Sequence, residues 1–173
     1  MLALILGGAA SGKSEYAERL VLSQPGPHLY LAAMEPWGEE GQARVRKHRA
    51  GRKGRGFRTV ERYIDLSGLS LPSDSSVLLE DLGNLTANEL FRPDGGGEDA
   101  AAAGLAHLAK TCRNLVVVSN EVFSGGRDYG ADTVRYMQAL ARLNRGLAAK
   151  ADLVIEVVCG LPDLWKGELP WVR

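Results

Sequence analysis

Residues Gly7-Gly8-Ala9-Ala10-Ser11-Gly12-Lys13-Ser14 read G-x-x-x-x-G-K-S and follow the apolar run Leu2-Ala3-Leu4-Ile5-Leu6 without a spacer. That order dictates a strand, a glycine-rich turn and the start of a helix. Glycines let the backbone curl around an anion with several N–H groups pointing inward. A lysine at this place reaches β- and γ-phosphates, and the serine hydroxyl ligates Mg²⁺. The residues that follow, Ser14 to Leu22, put Tyr16, Ala17, Leu20 and Val21 on one helical face, so the turn opens into an amphipathic helix whose dipole adds to the anion site. The motif predicts a nucleoside triphosphate held by Gly7, Gly8, Ala9, Ala10, Ser11, Gly12, Lys13 and Ser14, with Ser14 on the metal ion.

The remaining sequence repeats the same alternation of apolar strand and helix. His28 to Met34, Phe57 to Glu61, Val77 to Asp81, Leu115 to Ser119 and Leu153 to Val158 read as strands. Helical patterns fall on Glu39 to about Lys53, Leu85 to Phe91, Ala100 to Arg113 and Asp132 to Lys150, the last with Val134, Met137, Leu140, Ala141 and Leu147 facing inward. Continuously apolar strands between helices predict a three-layer α/β/α fold of the P-loop NTPase (RecA-like) class, with a mainly parallel central sheet and ligands beyond the carboxyl ends of its strands. The 173 residues fit a single domain, 1–173. A net charge of zero and 45% hydrophobic residues exclude a disordered chain and a globally basic nucleic-acid binder. Cys112 and Cys159 are too few and too far apart for a metal motif or a disulfide framework. Both are expected to be small core residues in a reducing, cytoplasmic compartment. Without a charged leader or a long apolar run, no membrane association is expected.

Four further features carry chemistry. Glu80 and Asp81 end a strand where an acid would balance the Mg²⁺ on Ser14; either could instead be an acid at the start of the next helix. The stretch from Arg44 to Arg58 holds many cations and no acid. At helical spacing Arg44, His48 and Arg52 share a face, so an imidazole sits between guanidiniums able to hold polyphosphate oxygens. A nucleophilic histidine needs this, because neighbouring cations keep it deprotonated while they stabilise transferred charge; the same run also reads as a solvated charged face. Asn120 and Glu121 follow an apolar strand at the ligand end of the sheet, to orient a substrate or, for Asn120, to cap a helix. Lys166 is a weaker candidate of this kind, and His28 and His107 read as structural or surface residues.

Gly7 to Ser14, Tyr30 to Met34, Arg44 to Arg49, Phe57 to Glu61, Leu78 to Asp81, Val118 to Val122 and Leu143 to Ala148 occur in an order that resembles the bifunctional adenosylcobinamide kinase / adenosylcobinamide-phosphate guanylyltransferase family. The resemblance runs nearly end to end, and the single histidine of the basic stretch followed by Thr59-Val60-Glu61 is its most specific part. It implies two reactions. A nucleoside triphosphate, ATP or GTP, phosphorylates adenosylcobinamide; GTP then donates GMP to the new phosphate through a guanylyl-histidine. By the same resemblance His48 is the guanylylated residue, and Lys13 acts on the triphosphate. Ala33, Met34, Glu35, Arg49, Ala50, Gly51, Arg52, Glu61 and Glu80 line the guanine nucleotide site, and the assembly is a homotrimer; from the motif and the strand-terminal acids rather than from the resemblance, Ser14 and Asp81 are expected to serve Mg²⁺. Ala10 and Phe57 replace an arginine and a tryptophan of many relatives, Phe123 to Tyr129 follows a different loop pattern, and Trp165 stands where a leucine is usual. Two other functions fit the residues alone. One is a monofunctional P-loop kinase with a basic phosphate lid. The other is a RecA-like ATPase on nucleic acid, which the scarcity of aromatics among the cations disfavours.

Overall fold

The computed structural model describes residues 1–35, 56–126 and 128–169. The expected helix between Glu39 and Lys53, and with it Arg44, His48, Arg49, Ala50, Gly51 and Arg52, lies outside the described residues.

Along the chain run β1 (Leu2–Gly7), α1 (Lys13–Leu22), β2 (His28–Ala32), β3 (Arg58–Glu61), a short 3₁₀ turn (Leu66–Gly68), β4 (Ser76–Glu80), α2 (Leu82–Phe91), α3 (Gly97–Thr111), β5 (Asn114–Asn120), α4 (Ala131–Lys150), β6 (Leu153–Val158) and β7 (Leu161–Lys166). The strands form one sheet in the order β3-β2-β4-β5-β1-β6-β7, parallel except for the β6–β7 pair. This is the expected α/β fold of the P-loop class. Burial on both faces explains the unbroken apolar runs. Ala3, Ile5, Leu78, Val116, Val118 and Ile155 pack under Tyr16, Leu20 and Val21 of α1. Leu4, Leu79, Leu115 and Val117 pack under Leu82 and Leu85 of α2, Leu105 and Leu108 of α3, and Leu140, Leu143 and Leu147 of α4. Among the described residues no helix is long and apolar enough to cross a membrane.

Three expectations are corrected here. Val134 is exposed, because only the carboxyl-terminal part of α4 lies on the sheet, through Ala139, Leu140, Leu143, Asn144 and Leu147. Cys159 is exposed while Cys112 is buried, since Cys159 falls in the tight turn between β6 and β7, a strand the composition did not announce. Lys166 is bonded away from the phosphate loop: its Nζ donates to the carbonyls of Ala148 and Ala149 at the end of α4, where a cation complements the helix dipole. His28 and His107 are structural, each ring bonded through Nε2 to a backbone carbonyl, of Gln24 and Leu69 respectively.

Candidate active site

The phosphate loop owes its shape to two glycines. A Cβ on Gly7 would lie 2.5 Å from Ser11 Oγ and 2.6 Å from the Val157 carbonyl, so no side chain fits there. Gly12 sits at φ 92, in the left-handed region, immediately before α1, and a Cβ on it would approach Gly160 Cα to 3.1 Å. The first turn of α1 closes with Tyr16 N–H on the Gly12 carbonyl at 3.0 Å, leaving the amides before it directed at the loop, as at any helix start. Lys13 is 93% buried, and its Nζ donates back across the loop to the Gly8 carbonyl at 3.0 Å. The ammonium is thus held over the turn, in place for a phosphate to take over its bond. An open cleft of about 480 Å³ lies over Ala10 to Glu15 and is closed on one side by Gly160.

The two strand-terminal acids diverge, because successive residues leave an extended chain on opposite sides. Glu80 turns toward α1 and accepts the Ser14 hydroxyl at 2.5 Å. Asp81 turns away to cap α2, with Oδ1 taking the Asn84 amide at 2.7 Å and Oδ2 the Asn120 side-chain amide at 3.1 Å. The alternative of a helix-starting acid therefore holds for Asp81. Asn120 caps no helix; the described residues between it and α4 form neither helix nor strand. Glu121 folds back on its own turn, accepting from Phe123 N and Ser124 Oγ, bonds that hold its carboxyl below the usual range.

Burial decides the electrostatics. Desolvation pushes Glu80 up to about 7, opposed by the Ser14 hydrogen bond and helped by the neighbouring Asp81 charge. Burial also raises Asp81, against the Asn84 and Asn120 bonds. Tyr136, whose hydroxyl adjoins Gly83, is pushed up to about 12 by burial and by Asp81. The residues suit Mg²⁺: Ser14 Oγ and Glu80 are hard oxygen donors, and Glu80 Oε2 is buried without a hydrogen-bond partner. Among the described residues no cluster of three or more His, Cys, Asp or Glu makes a metal cage.

The raised Glu80 carboxyl has a measurable consequence in protein free of metal and nucleotide. The native state keeps a proton up to about pH 7 that the unfolded chain releases near 4.5. Between those values the folded form binds more protons, so stability falls as pH rises, by up to roughly 3 kcal/mol. Urea unfolding in EDTA from pH 5 to 8 should show this slope, and Glu80→Gln should flatten it. An unchanged slope in the variant would assign the proton to another group.

Beside the loop, register brings the remaining described candidates together. Ala32 of β2 pairs with Glu61 of β3 on one side and with Glu80 of β4 on the other, so the two carboxylates emerge on one face roughly 10 Å apart, two strand spacings. Just beyond, Ala33 donates its amide to the Glu80 carbonyl and accepts Asn88 Nδ2 at 2.8 Å. Met34 is half-buried, Glu35 pairs with Arg92, and Tyr63 Oη donates to Glu61 at 3.3 Å. Arg92, Asn88 and Gly160 were missed from the sequence. Asn88 lies on α2 and Arg92 caps its carboxyl end, with no motif to single them out, and Gly160 would have needed recognition of a hairpin turn.

Comparison with known proteins gives the family. Residues 3–164 match the family described as cobinamide kinase / cobinamide phosphate guanyltransferase, CobU. The chain is 33% identical to the bifunctional adenosylcobalamin biosynthesis protein CobU of Escherichia coli strain K12, covering 93% of this chain and 97% of that protein. It is 34% identical to the protein of the same name from Salmonella typhimurium strain LT2, with the same coverage. To the bifunctional adenosylcobalamin biosynthesis protein CobP of Pseudomonas aeruginosa it is 33% identical, over 95% of this chain and 97% of the other.

Proposed function

The chain belongs to the cobinamide kinase / cobinamide phosphate guanyltransferase family and is a transferase with both activities, and from that premise we propose how its residues divide the work. In the first reaction the triphosphate lies on Gly7 to Ser14, and the corrinoid's alcohol attacks the γ-phosphorus as the bond to the β-phosphate oxygen breaks. Lys13 leaves the Gly8 carbonyl for the phosphates and neutralises the charge that builds on the transferred group. Mg²⁺ supplies charge neutralisation of the phosphates when bound. Ser14 and Glu80 hold it, with Asp81 fixing the β4–α2 corner behind Glu80. In the second reaction His48 attacks the α-phosphorus of GTP, pyrophosphate leaves, and the phosphorylated corrinoid takes GMP from the imidazole. Ala33, Met34, Glu35, Glu61 and Glu80, with Arg49, Ala50, Gly51 and Arg52 of the basic stretch, hold the guanine nucleotide.

The Ser14–Glu80 contact carries the kinase half of this reading, because it joins the metal-binding serine of the motif to a buried acid with one oxygen unspent. For the guanylyl half the support is family membership and the position of His48 among cations in the sequence. A single domain carries both reactions, in a homotrimer in the cytoplasm, where the free Cys112 and Cys159 stay reduced. Incubation with adenosylcobinamide, GTP and Mg²⁺, read by mass, should show addition of one phosphate and then of GMP. Phosphate addition alone would reduce the protein to a kinase.

A further inference from the structure

We propose that Asn88 and Arg92, at the carboxyl end of α2, are positioning residues of the guanine nucleotide site: Asn88 locks the exits of β2 and β3 together and Arg92 sets the Glu35 carboxylate, so guanylyl transfer depends on both while ATP-driven phosphorylation does not. The inference rests on the reading of Ala33 to Glu35 and Glu61 as guanine nucleotide residues, and names what holds them in place.

The helix is a fixed support. Asp81 caps its amino end through the Asn84 amide at 2.7 Å, and Leu82 and Leu85 are fully buried in the core. At the other end the Arg92 amide closes the last turn on the Asn88 carbonyl at 3.0 Å. Asn88 and Arg92 stand at i and i+4, so they share a face. Glu89, 2% exposed, accepts the Asp65 amide on one oxygen and the Gly96 amide on the other. Those bonds anchor the loop after β3 and the loop that carries Asp94.

Asn88 spends both protons of its amide nitrogen on the two strand exits. Its Nδ2 donates to the Ala33 carbonyl at 2.8 Å and to the Tyr63 carbonyl at 3.1 Å. Ala33 is the first residue after β2 and Tyr63 the second after β3, just past the bond from the Arg62 amide to the Ala32 carbonyl that ends the backbone pairing of the two chains. The side chain therefore takes over where the ladder stops. From Tyr63 the ring reaches back to Glu61, its hydroxyl donating to Oε2 at 3.3 Å. One amide thus sets both the backbone of Ala33 and the ring that touches Glu61.

Arg92 does the same for the other carboxylate. Its Nε and Nη2 hold Asp94 bidentately at 2.9 and 3.0 Å, which fixes the guanidinium plane, and Nη1 donates to Glu35 Oε2. The side chains of Arg92 and Glu35 are only 24% and 21% exposed, so salt screens this pair less than one in open water. A planar fork of donors serves two acids at once, which a single ammonium cannot do. Without these bonds the two exits would have to be ordered by the nucleotide itself, a cost that falls on binding rather than on the chemical step.

The test measures guanylyl transfer at varied GTP and phosphorylation of adenosylcobinamide at varied ATP. Asn88→Asp keeps the size of the side chain and removes its donors; Arg92→Lys keeps the charge and removes the fork. Each should raise KM for GTP in guanylyl transfer roughly tenfold, with kcat there and both constants of the ATP reaction within about twofold of wild type. Melting temperatures should fall by no more than a few degrees. A normal KM for GTP in either variant, or an equal loss in the two reactions, would overturn the inference. Glu61→Ala, at an exposed position, tests the site itself. A raised KM for GTP in Glu61→Ala beside normal values in Asn88→Asp and Arg92→Lys would leave the guanine nucleotide site standing and remove only the clamp. A normal KM in Glu61→Ala as well would take that site away from β2 and β3, and this inference with it.

Discussion

His48→Ala is expected to abolish the covalent GMP adduct formed with α-labelled GTP while phosphorylation of adenosylcobinamide continues at close to the normal rate. A phosphoramidate bond to imidazole survives alkali and is cleaved by acid, so the wild-type label should show that stability pattern and the variant should show no label. Guanylyl transfer should fall on the order of a thousandfold or more, because removing a covalent nucleophile removes the pathway rather than weakening it. The split between the two activities is the informative part. A merely cationic role for the basic stretch predicts a modest rise in KM for both reactions, since neighbouring guanidiniums would still hold phosphate. Label retained in His48→Ala would take the imidazole out of the mechanism and leave the two transfers without a common intermediate.

Lys13→Ala should give the complementary result, losing both reactions together. The ammonium is buried, donates to the Gly8 carbonyl within the loop, and stands over the turn where phosphate charge develops. Deleting one such donor in a preorganised site costs about 3–4 kcal/mol at the transition state, or roughly 10²–10³ in kcat. Lys13→Arg should not rescue it, because a planar fork cannot replace a point charge in so tight a turn. The melting temperature is the control, since the variant loses one hydrogen bond to the Gly8 carbonyl and some packing. Retention of guanylyl transfer in Lys13→Ala would mean that GTP donates its nucleotide from a second cradle. The pair of variants therefore separates one shared triphosphate site from two.

Asp81, Glu80 and Asn120 show why some of the site escaped the sequence. The pair of acids at the end of β4 is visible in Val77-Leu78-Leu79-Glu80-Asp81, but the two differ only in which side of the sheet they leave. Because α1 covers one side and α2 begins on the other, Glu80 meets Ser14 and Asp81 becomes the cap of α2. Asn120 is equally suited by sequence to cap a helix or to orient a ligand; it caps no helix, and its amide is drawn to Asp81. The Asp81 cap of α2 is local, but the Glu80–Ser14 and Asn120–Asp81 partners lie dozens of residues apart in the chain, and no local pattern encodes them.

The glycine loop, the helix that follows it and the parallel sheet were readable in the linear chain, because each rests on near neighbours: spacing of glycines, an apolar stripe at helical period, strands buried on both faces. Tertiary contact alone determined that Ala32 sets Glu61 and Glu80 on one face, that Arg92 holds Glu35, and that a hairpin no composition announced closes the phosphate cleft with Gly160. Those are pairings across strands and helices. Their free energy depends on register and burial, which exist only once the sheet has assembled.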